Sequence, residues 1–303
     1  MQLKSNSSQT PTGRILKGIG GFYYVLDEMG AIHECKARGR FRIDKTTPLP
    51  GDMVCFTPQT SSSGLIKEIL PRKNELKRPR VANVDVVAIV ASAQKPALDK
   101  LLCDKLIVHA MRAGIKPVLI INKCDLAKQG QIFDLVDEYK NVCSCVCVSA
   151  KTGEGLADLK ALLSEQCTCF AGQSATGKSS LLNALFPQLS LETGGLSKKV
   201  DRGRHTTRHA ELMIMDDFVG TVVDTPGFSF LETDGMQPEQ LSACYGDLNR
   251  YANECRFIGC LHDKEPQCGV KEAVMNGLVS EDRYQRYLTI LKELQEMKEK
   301  MYD

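Results

Sequence analysis

Short apolar runs separated by turn residues fill the first part of the chain, and longer strand-like and helix-like stretches alternate after them. The runs at 22–26, 31–35, 53–57 and 65–70 are punctuated by Gly-Gly, Met-Gly, Pro-Gly and Ser-Ser-Ser-Gly, as expected for strands joined by tight turns. About five strands in about sixty residues predict a small β-barrel, of OB-fold or SH3-like type. Residues 1–12 are rich in Ser, Gln and Thr with little to bury, and are expected to form a disordered lead. The polar segment 71–79, carrying Arg72, Lys73, Lys77 and Arg78, reads as a basic connection out of the barrel.

Beyond it, residues 84–93, 116–122, 142–149 and 167–171 read as strands and 98–113 and 155–165 as helices, with a further helix starting at Lys178. This alternation predicts a doubly wound, largely parallel sheet and an α/β fold. Cys143, Cys145 and Cys147 recur at period two, as do Cys167 and Cys169, which suits small apolar residues lining one face of a strand. After about Gln240 the pattern turns helical. Tyr284, Leu288, Leu291, Leu294, Met297 and Met301 follow three- and four-residue spacing and predict an amphipathic helix, packed on its own domain or offered to a partner.

Composition narrows the classes. At 43% hydrophobic and 25% charged the chain fits a globular protein of two or three domains rather than a disordered or fibrous one. No apolar run is long enough to span a bilayer, and the N-terminus lacks the apolar segment of a signal peptide, so neither membrane insertion nor secretion is expected. The 13 cysteines are therefore read as reduced thiols of a cytoplasmic protein, some of them metal ligands. A net charge of +2 is too small to argue for nucleic-acid binding by itself, so that argument rests on local clusters.

Gly172-Gln173-Ser174-Ala175-Thr176-Gly177-Lys178-Ser179 satisfies the phosphate-loop pattern GxxxxGK[ST] after a strand and before a helix, with Ser180 one step inside that helix. Its backbone amides would wrap phosphates, Lys178 would reach the terminal ones and the Ser179 hydroxyl would coordinate Mg²⁺. Asn122-Lys123-Cys124-Asp125 closes a strand and matches a guanine-reading NKxD element. A carboxylate at Asp125 can accept from both the ring N–H and the exocyclic amine of guanine, a donor pair adenine lacks on that edge. Lys123 would lie across the base, and Asn122 would tie this loop to the phosphate loop. Ser149-Ala150-Lys151 follows another strand, where backbone amides would face the guanine oxygen. Asp224-Thr225-Pro226-Gly227 ends an apolar stretch; Asp224 would hold Mg²⁺ through water and the Gly227 amide would face the γ-phosphate. Within Gly203-Arg204-His205-Thr206-Thr207, Thr207 is the preferred residue to close on Mg²⁺. The guanine-reading elements precede the phosphate loop, so the usual GTPase order has been cut and rejoined.

This order, the runs Arg72-Lys73-Asn74, Arg78-Pro79 and Ala82-Asn83-Val84-Asp85, the Phe228 after the Asp224–Gly227 element, and the cysteines from Cys255 to Cys268 together resemble the RsgA family of circularly permuted bacterial GTPases over nearly the whole chain. The resemblance implies an OB-fold barrel at 13–76, a circularly permuted P-loop GTPase domain at 77–236 and a helical zinc-binding domain at 237–303. It also implies a protein that assists late maturation of the small ribosomal subunit, contacts its rRNA and is stimulated by the subunit in hydrolysing GTP to GDP; a monomer is expected, with the oligomeric state open. Ala175 and Thr176 depart from the Gly-Val pair expected in that family's phosphate loop. Many GTPases place a water-orienting glutamine where this chain has Phe228, so slow basal turnover is expected. The orienting group would come from the partner or from His205, which serves equally well as an RNA contact. An rRNA-binding adapter in which GTP occupancy rather than hydrolysis matters is the alternative.

Cys255-x₄-Cys260-x-His262-x₅-Cys268 supplies three sulfurs and one imidazole, the closed donor set of one structural Zn²⁺; Cys244 is a nearby competitor. Lys36, Arg38, Arg40 and Arg42 alternate along the barrel sequence, opposite Phe41 and Ile43, forming either an RNA-phosphate face or an ordinary solvated one. Lys198, Lys199, Arg202, Arg204 and Arg208 cluster beside Thr207, which would couple RNA contact to nucleotide state. Because the Asp224 element leads directly into the metal module, loss of the γ-phosphate is expected to reorient that module.

Overall fold

The computed structural model describes residues 10–38, 46–189, 210–215, 218–224 and 235–300. Thr207, His205, Gly227, Phe228, Arg40, Arg42 and the 198–208 basic cluster lie outside the described residues. Contacts divide the described residues into two compact units. One runs to Asp85 and takes in Glu165–Cys169 and the strands after Ala210; the other takes in Val86–Ser164, residues 170–189 and residues 235–300.

In the first unit, β1 (Thr12–Ile19), β2 (Phe22–Asp27), β3 (Ile32–Ala37), β4 (Met53–Pro58) and β5 (Ser63–Ile69) close a barrel in the order β1-β2-β3-β5-β4. The β3–β5 pair is parallel and the others antiparallel, which selects the OB type over the SH3-like one. Alternation drives it: Ile15, Val25, Cys35, Val54, Phe56 and Ile66 point inward and are fully buried. Lys36 stays outside with its ammonium over the Phe22 ring, 5.2 Å from the centroid. β3 ends at Ala37, so Arg38 already lies beyond the strand.

The basic connection is structured. Arg72 donates Nε and Nη2 to the two oxygens of the fully buried Asp52 at 2.7 and 2.8 Å, and Nη2 also reaches the Thr47 carbonyl at 2.8 Å. A hairpin of β6 (Glu75–Lys77) and β7 (Arg80–Ala82) follows. Asn74 brackets the Val84 backbone with both ends of its amide, while Asn83 accepts from the Lys73 amide and donates to the Gly51 carbonyl. The two asparagine runs thus lock each other and the barrel.

The central sheet contains β8 (Val86–Ser92), β9 (Lys116–Asn122), β10 (Ser144–Cys147), β11 (Cys167–Ala171), β12 (Glu211–Met215) and β13 (Phe218–Asp224), in the order β10-β9-β8-β11-β13-β12. The β8–β9, β9–β10 and β11–β13 pairs are parallel, and β12 runs antiparallel to β13. Every residue of β8 and β11 is buried, as continuous apolar runs in a parallel sheet require. Cys143 sits just before β10, while Cys167 and Cys169 are buried in β11.

Helices α1 (Lys100–Arg112), α2 (Gln129–Tyr139), α3 (Leu156–Leu163) and α4 (Lys178–Leu185) connect these strands. Asp99 caps α1, accepting from the Leu102 amide at 2.9 Å. The C-terminal residues form the short α5 (Gly246–Asn249), α6 (Gly269–Met275) and the long α7 (Glu281–Glu299), which Ser280 caps. Their shared core contains Leu241, Tyr245, Leu248, Val270, Tyr287, Ile290, Leu291 and Leu294, together with Val108 of α1. At about 1.5–3 kcal/mol per large apolar side chain removed from water, this cluster is the main force holding the segment in place. No helix among the described residues is long and apolar enough to cross a membrane.

Candidate nucleotide site and metal centre

The phosphate loop leaves β11 at Gly172 and enters α4 at Lys178. Gly172 (φ +138°) and Gly177 (φ +90°) adopt backbone angles that side chains rarely tolerate. A Cβ on the first would come within 2.2 Å of the Val90 carbonyl oxygen, and one on the second within 2.6 Å of Asn122 Nδ2. No side chain caps α4, so its first-turn N–H groups have no partner within the helix and can serve an anion. Thr176 is buried, and its hydroxyl donates to the Gln173 carbonyl at 3.0 Å, a brace across the loop that the sequence did not reveal.

Ala175, the departure noted above, holds φ +65°, a left-handed angle that costs a Cβ-bearing residue about 1–2 kcal/mol. Ala175→Gly is expected to raise stability by about 1 kcal/mol, because relief of that strain exceeds the added freedom of the unfolded glycine. Guanidinium denaturation of the two proteins checks this. An unchanged or lower midpoint would mean that the loop accommodates the Cβ without strain.

Side chains at the end of β9 join the loops. Asn122 is buried; its Nδ2 donates to the Thr176 carbonyl at 3.0 Å and its Oδ1 accepts from the Ala150 amide at 3.2 Å. Lys123, also left-handed at φ +65°, donates from Nζ to the Ala175 carbonyl at 2.8 Å and to the Lys95 carbonyl. The Lys95 contact had no sequence signal, since any residue offers a carbonyl. Asp125 stands exposed in the turn Cys124–Leu126, with Oδ1 accepting from the Ser149 hydroxyl at 2.7 Å. That hydroxyl also accepts from the Thr152 amide at 3.1 Å.

In the Ser149-Ala150-Lys151 segment two of the three backbone amides have partners within the protein. The Ser149 amide is engaged by the Glu154 carbonyl at 3.0 Å and the Ala150 amide by Asn122. Only the Lys151 amide has no acceptor among the described residues, and the main service of Ser149 is to hold the Asp125 carboxylate. Asp224 ends β13.

The candidate ligand atoms of Cys255, Cys260, His262 and Cys268, one from each, all lie within 4.8 Å of one another, a cluster that could hold a metal ion. Cys255 Sγ is 3.7 Å from Cys268 Sγ, and His262 Nδ1 is 3.5 and 3.4 Å from those two sulfurs. A tetrahedral Zn²⁺ with ordinary bond lengths needs edges of about 3.8 Å between sulfurs and about 3.6 Å between sulfur and nitrogen, so the donor set fits that ion. His262 Nε2 lies 2.9 Å from the Ser242 hydroxyl, which leaves Nδ1 for the metal. Burial pushes the imidazole pKa down, favouring the neutral, ligating form. Tyr284 and Tyr287 on α7 donate to the His262 and Leu261 carbonyls at 2.6 and 2.9 Å and pin the loop. Cys244 is buried in the helical core and stands apart from the four ligands.

Comparison with known proteins agrees with this architecture. Residues 69–234 match the family model described as RsgA GTPase, and residues 12–66 the one described as RsgA N-terminal domain. The small ribosomal subunit biogenesis GTPase RsgA of Caldanaerobacter subterraneus subsp. tengcongensis is 46% identical over 291 residues, spanning 96% of this chain and 98% of its own. Its namesake in Bacillus subtilis is 40% identical over 296 residues, spanning 95% and 99%. Among solved structures, YjeQ from Thermotoga maritima superposes with a TM-score of 0.83 at 37% identity, over 94% of this chain and 98% of that one. YloQ, described as a circularly permuted GTPase, gives 0.82 at 36%, over 98% and 99%. With the Asn122 loop placed ahead of the phosphate loop in the chain, an OB-like barrel before them and a Cys₃His cluster after them, the chain belongs to the RsgA family of circularly permuted GTPases.

Proposed function

We propose that this GTPase binds GTP and GDP between the Asn122–Asp125 turn and the phosphate loop, and that it acts in the cytoplasm on the small ribosomal subunit. The observation that carries the reading is the Asn122 side chain, which joins the Thr176 carbonyl to the Ala150 amide and so fixes three loops at once. In this arrangement Asp125, held by Ser149, reads guanine, Lys123 covers the base and the Lys151 amide faces its oxygen. The amides of residues 172–180 and Lys178 hold the phosphates. Ser179, Thr207 and Asp224 are assigned to Mg²⁺, which when bound neutralises charge on the phosphate oxygens. The Gly227 amide is assigned to the γ-phosphate. Cys255, Cys260, His262 and Cys268 hold one structural Zn²⁺.

The relatives' names assign them to small ribosomal subunit biogenesis, and this supports late subunit maturation as the process and rRNA as a contact. Phe228 cannot orient water, so turnover of the isolated monomer is slow and the subunit supplies, or positions through His205, the missing group. GTP hydrolysis measured with small subunits, with large subunits and with neither should show at least a tenfold stimulation by small subunits alone, lost in Lys178→Ala. Turnover indifferent to subunits, with GTP-dependent subunit binding retained, would favour an assembly adapter in which occupancy matters instead.

A further inference from the structure

We propose that Ser92 is a positioning residue for guanine-nucleotide binding, acting through the Lys95 carbonyl on the ammonium group of Lys123. The proposal rests on the reading of Lys123 as the residue that covers the base. Ser92 ends β8 as the one polar residue of an otherwise apolar strand. It is 1% exposed and lies in register with Asn122 across β8 and β9, one residue short of Lys123. Its hydroxyl donates to the Lys95 carbonyl at 3.0 Å and accepts from the Gln94 amide at 3.4 Å, folding the chain back just after the strand. The Ala93 amide adds a bond to the Asn122 carbonyl at 2.8 Å. Gln94 and Lys95 are themselves exposed, so without the buried hydroxyl beneath it the Lys95 carbonyl would be free to turn to water.

Lys123 uses that carbonyl. Its Nζ donates there and to the Ala175 carbonyl of the phosphate loop at 2.8 Å, and its Cε runs beside Gly177, 3.6 Å from where a Cβ on that glycine would stand. The stem is therefore held at both ends, by the turn after β9 and by two carbonyls from different loops. A lysine side chain has many rotamers, and ordering it only when a ligand arrives would weaken binding. Here the carbonyls order it beforehand, so the apolar stem is in place to meet the base. Buried at the strand end, Ser92 acts on affinity by aiming one of these acceptors rather than by touching the nucleotide.

The test is a double-mutant cycle on the zinc-replete full chain, with Ser92→Ala, Lys123→Met and both together, and with Ser92→Thr as the conservative variant. Methionine keeps most of the stem and removes the ammonium. Titrated with fluorescent GDP, Ser92→Ala is expected to weaken binding about fivefold in the natural background, the effect of one aimed hydrogen bond, and less than about 1.5-fold in the Lys123→Met background. Threonine can make the same bonds, and its added methyl has beside it the small cavity that Ser92 lines with Leu98, Leu102 and Thr176. Ser92→Thr should therefore stay within about twofold of the natural protein. In steady-state turnover the Ser92→Ala loss should appear in KM for GTP with kcat kept, whereas a partly unfolded protein would lose kcat and keep KM. Unchanged GDP affinity in Ser92→Ala, an equal loss in both backgrounds, or a loss confined to kcat would overturn the proposal. If Lys123→Met alone bound GDP as the natural protein does, the base-covering reading would fall and the proposal with it. If Lys123→Met weakened binding while Ser92→Ala did not, that reading would stand and the proposal alone would fall.

Discussion

Asp104→Ala is expected to destabilise the chain by about 3–5 kcal/mol, the range for removing one partner of a buried ionic network. Asp104 is fully buried on α1. Its Oδ1 accepts from Arg283 Nη1 at 2.7 Å and from the Tyr139 hydroxyl at 2.8 Å, and its Oδ2 accepts from Arg286 Nε at 2.7 Å. Arg283, itself 1% exposed, also pairs with Asp247 and stacks 4.5 Å from the Tyr245 centroid. Arg286 and Lys100 share Glu138. Three carboxylates balance three cations, so alanine at 104 leaves three cations against two carboxylates, with Arg283 left only Asp247 and Arg286 only Glu138, around a position that is itself fully buried. Chemical denaturation of both proteins measures the loss, and a change below about 1 kcal/mol would mean that solvent enters and compensates.

The pH dependence has a defined sign. Burial would raise the Glu138 pKa, but its contacts with Lys100 and Arg286 outweigh burial and hold it below the ordinary carboxylate value. The stabilisation from this group is therefore present above the unfolded pKa, about 4.3, and is lost as pH falls through the folded one.

The same network ties the metal module to α1. Arg283 and Arg286 on α7 bind Asp104 on α1, and Lys105 on α1 binds Glu293 on α7 at 2.7 Å. Reorienting the module against α1 would have to break these pairs and open the Leu241–Tyr287 core.

The sequence made the buried parallel strands and the start of α4 legible because continuous apolar runs and a GxxxxGK[ST] turn leave strong local signals. β1 escaped because Arg14 and Lys17 interrupt its apolar pattern, and β6 and β7 escaped because three residues carry no period. The α7 stripe was read too narrowly. Tyr287, Ile290 and even Arg283 are buried as well, because the helix meets the metal loop on one side and α1 on another. Within the sites the motifs were readable, while the bonds between them were not. Ser149 to Asp125, Lys123 to Lys95 and Ser242 to His262 exist only once distant segments have been brought together.

Asp125→Asn is expected to weaken GDP binding by about 10²–10⁴-fold, while leaving the thermal midpoint nearly unchanged because the side chain is exposed. If Asp125 reads the base as proposed, two charge-assisted hydrogen bonds from guanine's ring N–H and amine would go to one carboxylate, each worth about 1.5–3 kcal/mol. Asparagine keeps one oxygen, and the Ser149 hydroxyl, which donates to Oδ1 at 2.7 Å, retains it. The new NH₂ group then faces the guanine amine, donor against donor. Xanthine carries a carbonyl where guanine carries that amine, so the variant should gain on xanthosine diphosphate what it loses on GDP, with ADP weak for both proteins. Titration of the three nucleotides against both proteins reads this as an inversion of preference. Equal loss for all three would mean that Asp125 shapes the loop rather than reading the base, and undiminished GDP affinity would remove it from the site.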